Sequence, residues 1–126
     1  MDFNGVKVLI CDDSVFARRK LKDYLNSIGF QNVLEATDGE AAVEQYKENK
    51  PDIVFMDIVM PKKDGVEAVG DIIKINPDAK IIMTSSVGTQ DYLKESIKAG
   101  ACDFVQKPLE NDKISSAIKK ALTGGY

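Results

Sequence analysis

Five short runs rich in apolar and β-branched residues alternate with five longer segments whose apolar residues recur at helical spacing. The runs are Val6–Cys11, Asn32–Ala36, Asp52–Asp57, Lys80–Ser85 and Cys102–Gln106. Between them, Leu21, Leu25 and Ile28 follow one helical face, Val66, Val69 and Ile73 another, and Leu93 with Ile97 a shorter stripe. The last segment, with Ile114, Ala117, Ile118, Ala121 and Leu122, has the full spacing of an amphipathic helix. Asp38–Gly39 marks the start of the second helix, Pro51 precedes the third strand, Asn76–Pro77 ends the third helix and Gly100 closes the fourth. Ten elements in strict β-then-α order predict an α/β fold, a parallel sheet with helices on both faces. The first, third and fourth runs are nearly continuous apolar, as buried strands are. The second carries Asn32 and Glu35, which suits a sheet edge.

The 126 residues hold these ten elements with no linker, repeat or low-complexity tract. The expected organisation is one domain over 1–126 with its core at about 6–122, a frayed Gly124–Gly125–Tyr126 end and no output domain. With 17 basic and 20 acidic residues the net charge is −3, which argues against direct nucleic-acid binding. No apolar run approaches the ~18–20 residues of a membrane span, and the N-terminus lacks the form of a signal peptide, so a cytoplasmic location is expected. Zero histidines exclude His-based metal sites and Ser-His-Asp chemistry within the chain. Cys11 and Cys102 lie in apolar stretches and are expected to be small core residues.

In an open parallel α/β sheet, sites form beyond the carboxyl ends of the strands. The first run ends in Asp12–Asp13, the third in Asp57, the fourth in Thr84–Ser85–Ser86 and the fifth in Lys107–Pro108. Three carboxylates, hydroxyls and one ammonium thus share an edge. Carboxylates ~4 Å apart repel by about 4 kcal/mol at an effective dielectric of 20, and Lys107 alone leaves a surplus of negative charge. Hard oxygen ligands then favour Mg²⁺, with Mn²⁺ able to substitute. Aspartate also caps helices well, but two adjacent aspartates and a third on a central strand exceed what capping requires. The chain has neither G-x-x-x-x-G-K-[ST] nor G-x-G-x-x-G, and Asp12–Asp13 would repel a bare phosphate. What fits is a carboxylate that accepts a phosphoryl group while a metal neutralises charge, with Asp57 best placed as the nucleophile.

Leu9–Ile10–Cys11–Asp12–Asp13–Ser14, Asp57–Ile58–Val59–Met60–Pro61 with Asp64–Gly65, Ser85, and Lys107–Pro108–Leu109 resemble a response-regulator receiver domain, from about Val6 to Leu122. The resemblance implies a flavodoxin-like, doubly wound five-stranded sheet of order 2-1-3-4-5 with five helices. It implies Asp57 as phosphoacceptor, and Asp12, Asp13, Asp57 and the backbone carbonyl of Val59 as Mg²⁺ ligands. Lys107 would meet the phosphoryl group, its bond to Pro108 being cis. Ser85, rather than Thr84, falls at the switch hydroxyl by its interval to Lys107, and Phe104 at the aromatic switch position; otherwise Phe104 reads as an ordinary core aromatic.

The implied protein is a phospho-accepting switch rather than an enzyme, assisting its own phosphorylation and dephosphorylation. A sensor histidine kinase or phosphotransfer protein would phosphorylate it, and it would then bind a downstream target. Met60–Pro61, Ala68, Ile82–Met83, Ala99–Gly100–Ala101 and Asp103–Phe104 resemble stand-alone chemotaxis regulators, which makes flagellar motor control the favoured pathway, with the flagellar switch as target and a phosphatase as a further partner. A phosphorelay intermediate or a receiver excised from a transcriptional regulator reads almost identically. A phosphatase with an aspartyl nucleophile would need D-x-D, whereas Asp12 and Asp13 are adjacent. In the family, Val59 and Val87 border the path of the hydrolytic water, and two apolar side chains there imply slow self-dephosphorylation. Arg18–Arg19–Lys20 and Lys22 read as a charge run able to steer an acidic partner, with Phe16 exposed beside them. Lys94, Lys98, Gln106 and Lys113 lie on the face of the fourth and fifth helices.

Overall fold

The computed structural model describes residues 3–86 and 90–124. Its elements are β1 (Lys7–Cys11), α1 (Val15–Ser27), β2 (Asn32–Ala36), α2 (Gly39–Asn49), β3 (Ile53–Asp57), α3 (Gly65–Ile75), β4 (Ile81–Ser85), α4 (Gln90–Ala99), β5 (Asp103–Gln106) and α5 (Asn111–Thr123). The strands form one parallel sheet in the order β2-β1-β3-β4-β5. That is the architecture the alternation and the resemblance predict. Among the described residues, no helix is long and apolar enough to cross a membrane.

Strand alternation divides the core into two layers. Leu9, Cys11, Val54, Met56, Ile81 and Met83 pack with residues of α2 and α3, among them Ala42, Val43, Val69 and Ile72. Val8, Ile10, Ile53, Phe55, Ile82 and Val105 pack on the other face with Leu21 and Leu25 of α1 and with Ile114, Ala117, Ile118 and Ala121 of α5. Each fully buried Val, Leu, Ile or Phe contributes about 1.5–3 kcal/mol, and β3 and β4 are buried along their whole length. The edge strands β2 and β5 are mostly not. Their position corrects one expectation. Cys102, just before the edge strand β5, is half-buried rather than fully in the core. On α4, Ile97 of the shorter stripe is exposed. Cys11 is buried as expected; burial and the neighbouring Asp12 charge push its thiol pKa far up, so it stays a neutral core residue.

The helix starts decide what the acidic strand ends are for. Ser14 Oγ accepts from Ala17 N, Asp38 Oδ1 from Ala41 N and Asp64 Oδ1 from Glu67 N, capping α1, α2 and α3. Such a cap contributes about 1 kcal/mol. Asp12, Asp13 and Asp57 cap none of these helices and remain free for other chemistry at the carboxyl edge.

Candidate functional site

The sheet register brings the site together. Cys11 pairs with Met56 and Asp57 with Thr84, so β1 and β3 end side by side and deliver Asp12 and Asp57 to the same edge. Asp12 N donates to Ala36 O at 3.1 Å, extending the ladder one residue past β1. Its Oδ1 accepts from Ser14 N at 2.9 Å, a turn-closing bond of the kind aspartate favours. Its Oδ2 accepts from Lys107 Nζ at 3.0 Å. Asp57 is buried, its Oδ1 accepting from Ile58 N at 2.9 Å and its Oδ2 lying 3.4 Å from the same Lys107 Nζ. Lys107 backbone N donates to Ser85 O at 2.6 Å, which sets the residue beside the end of β4, from where its side chain reaches both carboxylates. The Lys107–Pro108 bond is cis.

Electrostatics follow from this crowding. Burial, then the Asp12 charge, push the Asp57 pKa from 3.8 up to about 6, against the opposing pull of Lys107 and the Ile58 N–H. Burial works against the Lys107 ammonium, but its hydrogen bond to Asp12 and the charges of Asp57 and Asp12 prevail, and its pKa rises. Asp12, Asp13 and Asp57 each offer a carboxylate oxygen within 4.8 Å of the others. One ammonium against three carboxylates leaves an excess of negative charge that a divalent cation would offset. The donors are all hard oxygens and Asp13 is open to water, which fits Mg²⁺ and its retained water ligands. No such fit exists for a thiol- or imidazole-seeking metal here.

The remaining predicted residues lie around this cluster. Ser85 is buried at the end of β4, next to Lys107 in the ladder, and Thr84 is buried beside Asp57. Phe104 is not a core aromatic: it is 48% exposed and faces outward. With Leu93 and Ile97 it lines an open, mainly apolar depression of about 480 Å³ on the α4–β5 face, bordered by Lys94 and Lys98. Val59 is exposed on the loop after β3, while Val87 lies outside the described residues. Phe16 and Val15 are exposed on the first turn of α1, as expected for Phe16.

Residues 8–119 match the family model described as the response regulator receiver domain. The chain belongs to that family. Over 116 residues it is 49% identical to the chemotaxis protein CheY of Thermotoga maritima, a match spanning 92% of this chain and 97% of that one. It is 47% identical, with the same coverage, to the chemotaxis protein CheY of Bacillus subtilis. A chain in the crystal structure of the CheX-CheY-BeF3-Mg²⁺ complex from Borrelia burgdorferi matches with a TM-score of 0.86 and 37% identity, over 93% of this chain and 89% of that one. This is a CheY-like receiver domain of two-component signalling, a switch rather than a classical enzyme.

Gly65, Gly39 and Arg18 hold this receiver's site in shape, a role that the sequence did not assign to them. A Cβ on Gly65 would overlap the Asp57 carbonyl oxygen, so glycine there lets α3 begin directly against the backbone of Asp57. A Cβ on Gly39 would likewise overlap the Lys63 carbonyl, which seats the loop after β3 on the first turn of α2. Arg18 departs from its reading as part of a charge run facing a partner. Its Nη1 donates to Asp12 O at 2.7 Å and its Nε to Glu35 Oε1 at 3.1 Å, while Lys22 lies 3.6 Å from Glu35 Oε2. Arg19 and Lys20 stay exposed. The signal for Arg18 was its position one helical turn after the Ser14 cap, since helical side chains lean back toward the N-terminus.

Proposed function

We propose that this receiver is a Mg²⁺-dependent switch that accepts a phosphoryl group on Asp57 from a histidine kinase or phosphotransfer protein in the cytoplasm, then binds a downstream target. The observation that carries the reading is the convergence of Asp12, Asp57 and Lys107 within hydrogen-bonding and ion-pairing range, with neither carboxylate used as a helix cap. Mg²⁺ would be held by Asp12, Asp13, Asp57 and the Val59 carbonyl, and when bound it supplies charge neutralisation of the phosphoryl oxygens. A carboxylate oxygen of Asp57 attacks the phosphohistidine phosphorus; the new P–O bond forms as the P–N bond breaks, and the leaving imidazole takes a proton from solvent. Lys107 stabilises charge on the transferring group, which this chemistry needs more than a strong base.

On phosphorylation, new acceptor oxygens draw the Ser85 hydroxyl toward Asp57, and Phe104 turns from its exposed position into the space released. Its departure reshapes the apolar α4–β5 depression, the surface offered to the target. Chemotaxis is the favoured pathway, the flagellar switch the favoured target and a phosphatase a further partner, all supported by likeness to the CheY proteins. Kinase docking is assigned to the other face. There Phe16, Lys20, Tyr24, Pro108 and Leu109 line a mostly apolar groove of about 140 Å³ beside the acidic cluster. Val59, apolar and exposed at the site, supports slow self-dephosphorylation.

Beryllofluoride titration followed by amide NMR tests the site. The expected result is Mg²⁺-dependent, saturable shifts centred on Asp57 and extending to Ser85 and Phe104, all lost in Asp57→Ala. Shifts that persist in that variant, or that need no metal, refute it.

A further inference from the structure

The turn that presents Asp12 and Asp13 is short and bears two like charges on consecutive residues, so something must hold its shape. Three bonds do so. Asp12 N is fixed to Ala36 O, Asp12 Oδ1 to Ser14 N, and Asp12 O to the Arg18 guanidinium at 2.7 Å. The first two belong to the sheet and to the turn itself. The third comes from a side chain on α1 that is only 11% exposed and is anchored at its other edge by Glu35 at the end of β2. Arg18 therefore spans from β2, under the acidic turn, to α1, and its planar fork matches two acceptors at once.

We infer that Arg18 is a positioning residue for the divalent-cation site, locking the Asp12–Asp13 backbone in the orientation that lets both carboxylates reach one ion. This role rests on the proposed metal site. Two effects of opposite sign meet at Arg18. As a bare positive charge next to the acidic turn, it opposes cation binding, so its removal should strengthen binding. As a clamp on the ligands, it favours binding, so its removal should weaken it. Outer-shell partners of metal ligands commonly change affinity by about 10–100-fold. Arg18 bonds a ligand residue's carbonyl rather than a ligand atom, so a loss near the lower end, about 10-fold, is expected.

The test is direct metal binding by the intact chain, with Mn²⁺ followed by electron paramagnetic resonance and Mg²⁺ by calorimetry. Wild type is compared with Arg18→Gln, Arg18→Lys and Arg19→Gln, the last removing an equal charge from an exposed neighbour. The expected result is about 10-fold weaker binding in Arg18→Gln. Arg18→Lys should fail to restore it, because one ammonium cannot hold Asp12 O and Glu35 in the same fork, and Arg19→Gln should bind as tightly as wild type or more tightly. Unfolding in EDTA separates the roles: a residue serving the fold alone would lower the melting temperature and leave the ion affinity unchanged. Equal or tighter binding by Arg18→Gln, or full affinity in Arg18→Lys, overturns the clamp and leaves the metal site standing. Failure of wild type to bind either ion, or binding unaffected by Asp13→Asn, overturns the metal site and the clamp with it.

Discussion

Replacing Asp57 by asparagine should stabilise the metal-free protein at neutral pH. The folded structure holds the Asp57 pKa at about 6 against an ordinary 3.8, chiefly through burial and then through the Asp12 charge. A carboxylate whose folded pKa is raised stabilises the fold below its unfolded pKa, and that contribution is lost as pH rises through the folded value. Native protein therefore becomes less stable between about pH 4 and pH 6, and at pH 7.5 it carries the whole cost of a buried, ionised Asp57. The interval from 3.8 to about 6 corresponds to a ceiling of about 3 kcal/mol. Water at the sheet edge screens part of this, leaving roughly 1–2 kcal/mol. For a chain of 126 residues, each 1 kcal/mol moves the melting point by about 4 °C. The asparagine amide keeps the shape of the carboxylate, and its oxygen can still accept from Ile58 N, so the gain in EDTA at pH 7.5 should be about 4–8 °C. It should shrink to about a fifth near pH 4. Thermal unfolding by circular dichroism across that range is the assay. A gain as large at pH 4 as at pH 7.5, or a loss at every pH, would refute the idea that the substitution relieves charge crowding at Asp57.

Lys107→Met removes the cation shared by Asp12 and Asp57, so metal-free stability at pH 7.5 should fall by roughly 1–3 kcal/mol in urea unfolding. The same variant should titrate Asp57 above its present value of about 6, because the Lys107 charge now lowers it. Gly65→Ala should cost about 1–3 kcal/mol and displace Asp57, since the new methyl meets its carbonyl; acetyl phosphate labelling should slow more than unfolding explains. Val59→Asn should shorten the lifetime of the phosphoprotein, measured as first-order loss of label, and an unchanged lifetime removes Val59 from the hydrolytic path.

The fold was legible because periodicity and composition agree in every segment. The sheet order came from the family resemblance. Asp12, Asp13, Asp57 and Lys107 were legible as a cluster because a parallel sheet gathers all its strand ends at one edge. What escaped was set by neighbours distant in sequence. Gly39 reads as a helix-start glycine and Gly65 as part of the receiver motif, but the steric reason for each appears only once the loop backbone pressed against them is known. Arg18 carried a local signal in its place one turn after the Ser14 cap, but its partner Glu35 lies 17 residues away and decides that it turns inward. Phe104 and Ile97 lie on periodic or apolar stretches, yet β5 is a sheet edge and leaves them facing outward. Cys102 is half-buried for the same reason.

The proposed switch stands on Asp57 as phosphoacceptor and on transfer that needs the ion held beside it. Intact-protein mass spectrometry after incubation with acetyl phosphate and Mg²⁺ tests this most directly, with Asp57→Asn and EDTA as controls. The predicted result is one added phosphoryl group in wild type, and none in Asp57→Asn or without the metal. An adduct of equal yield in Asp57→Asn or in EDTA would contradict it.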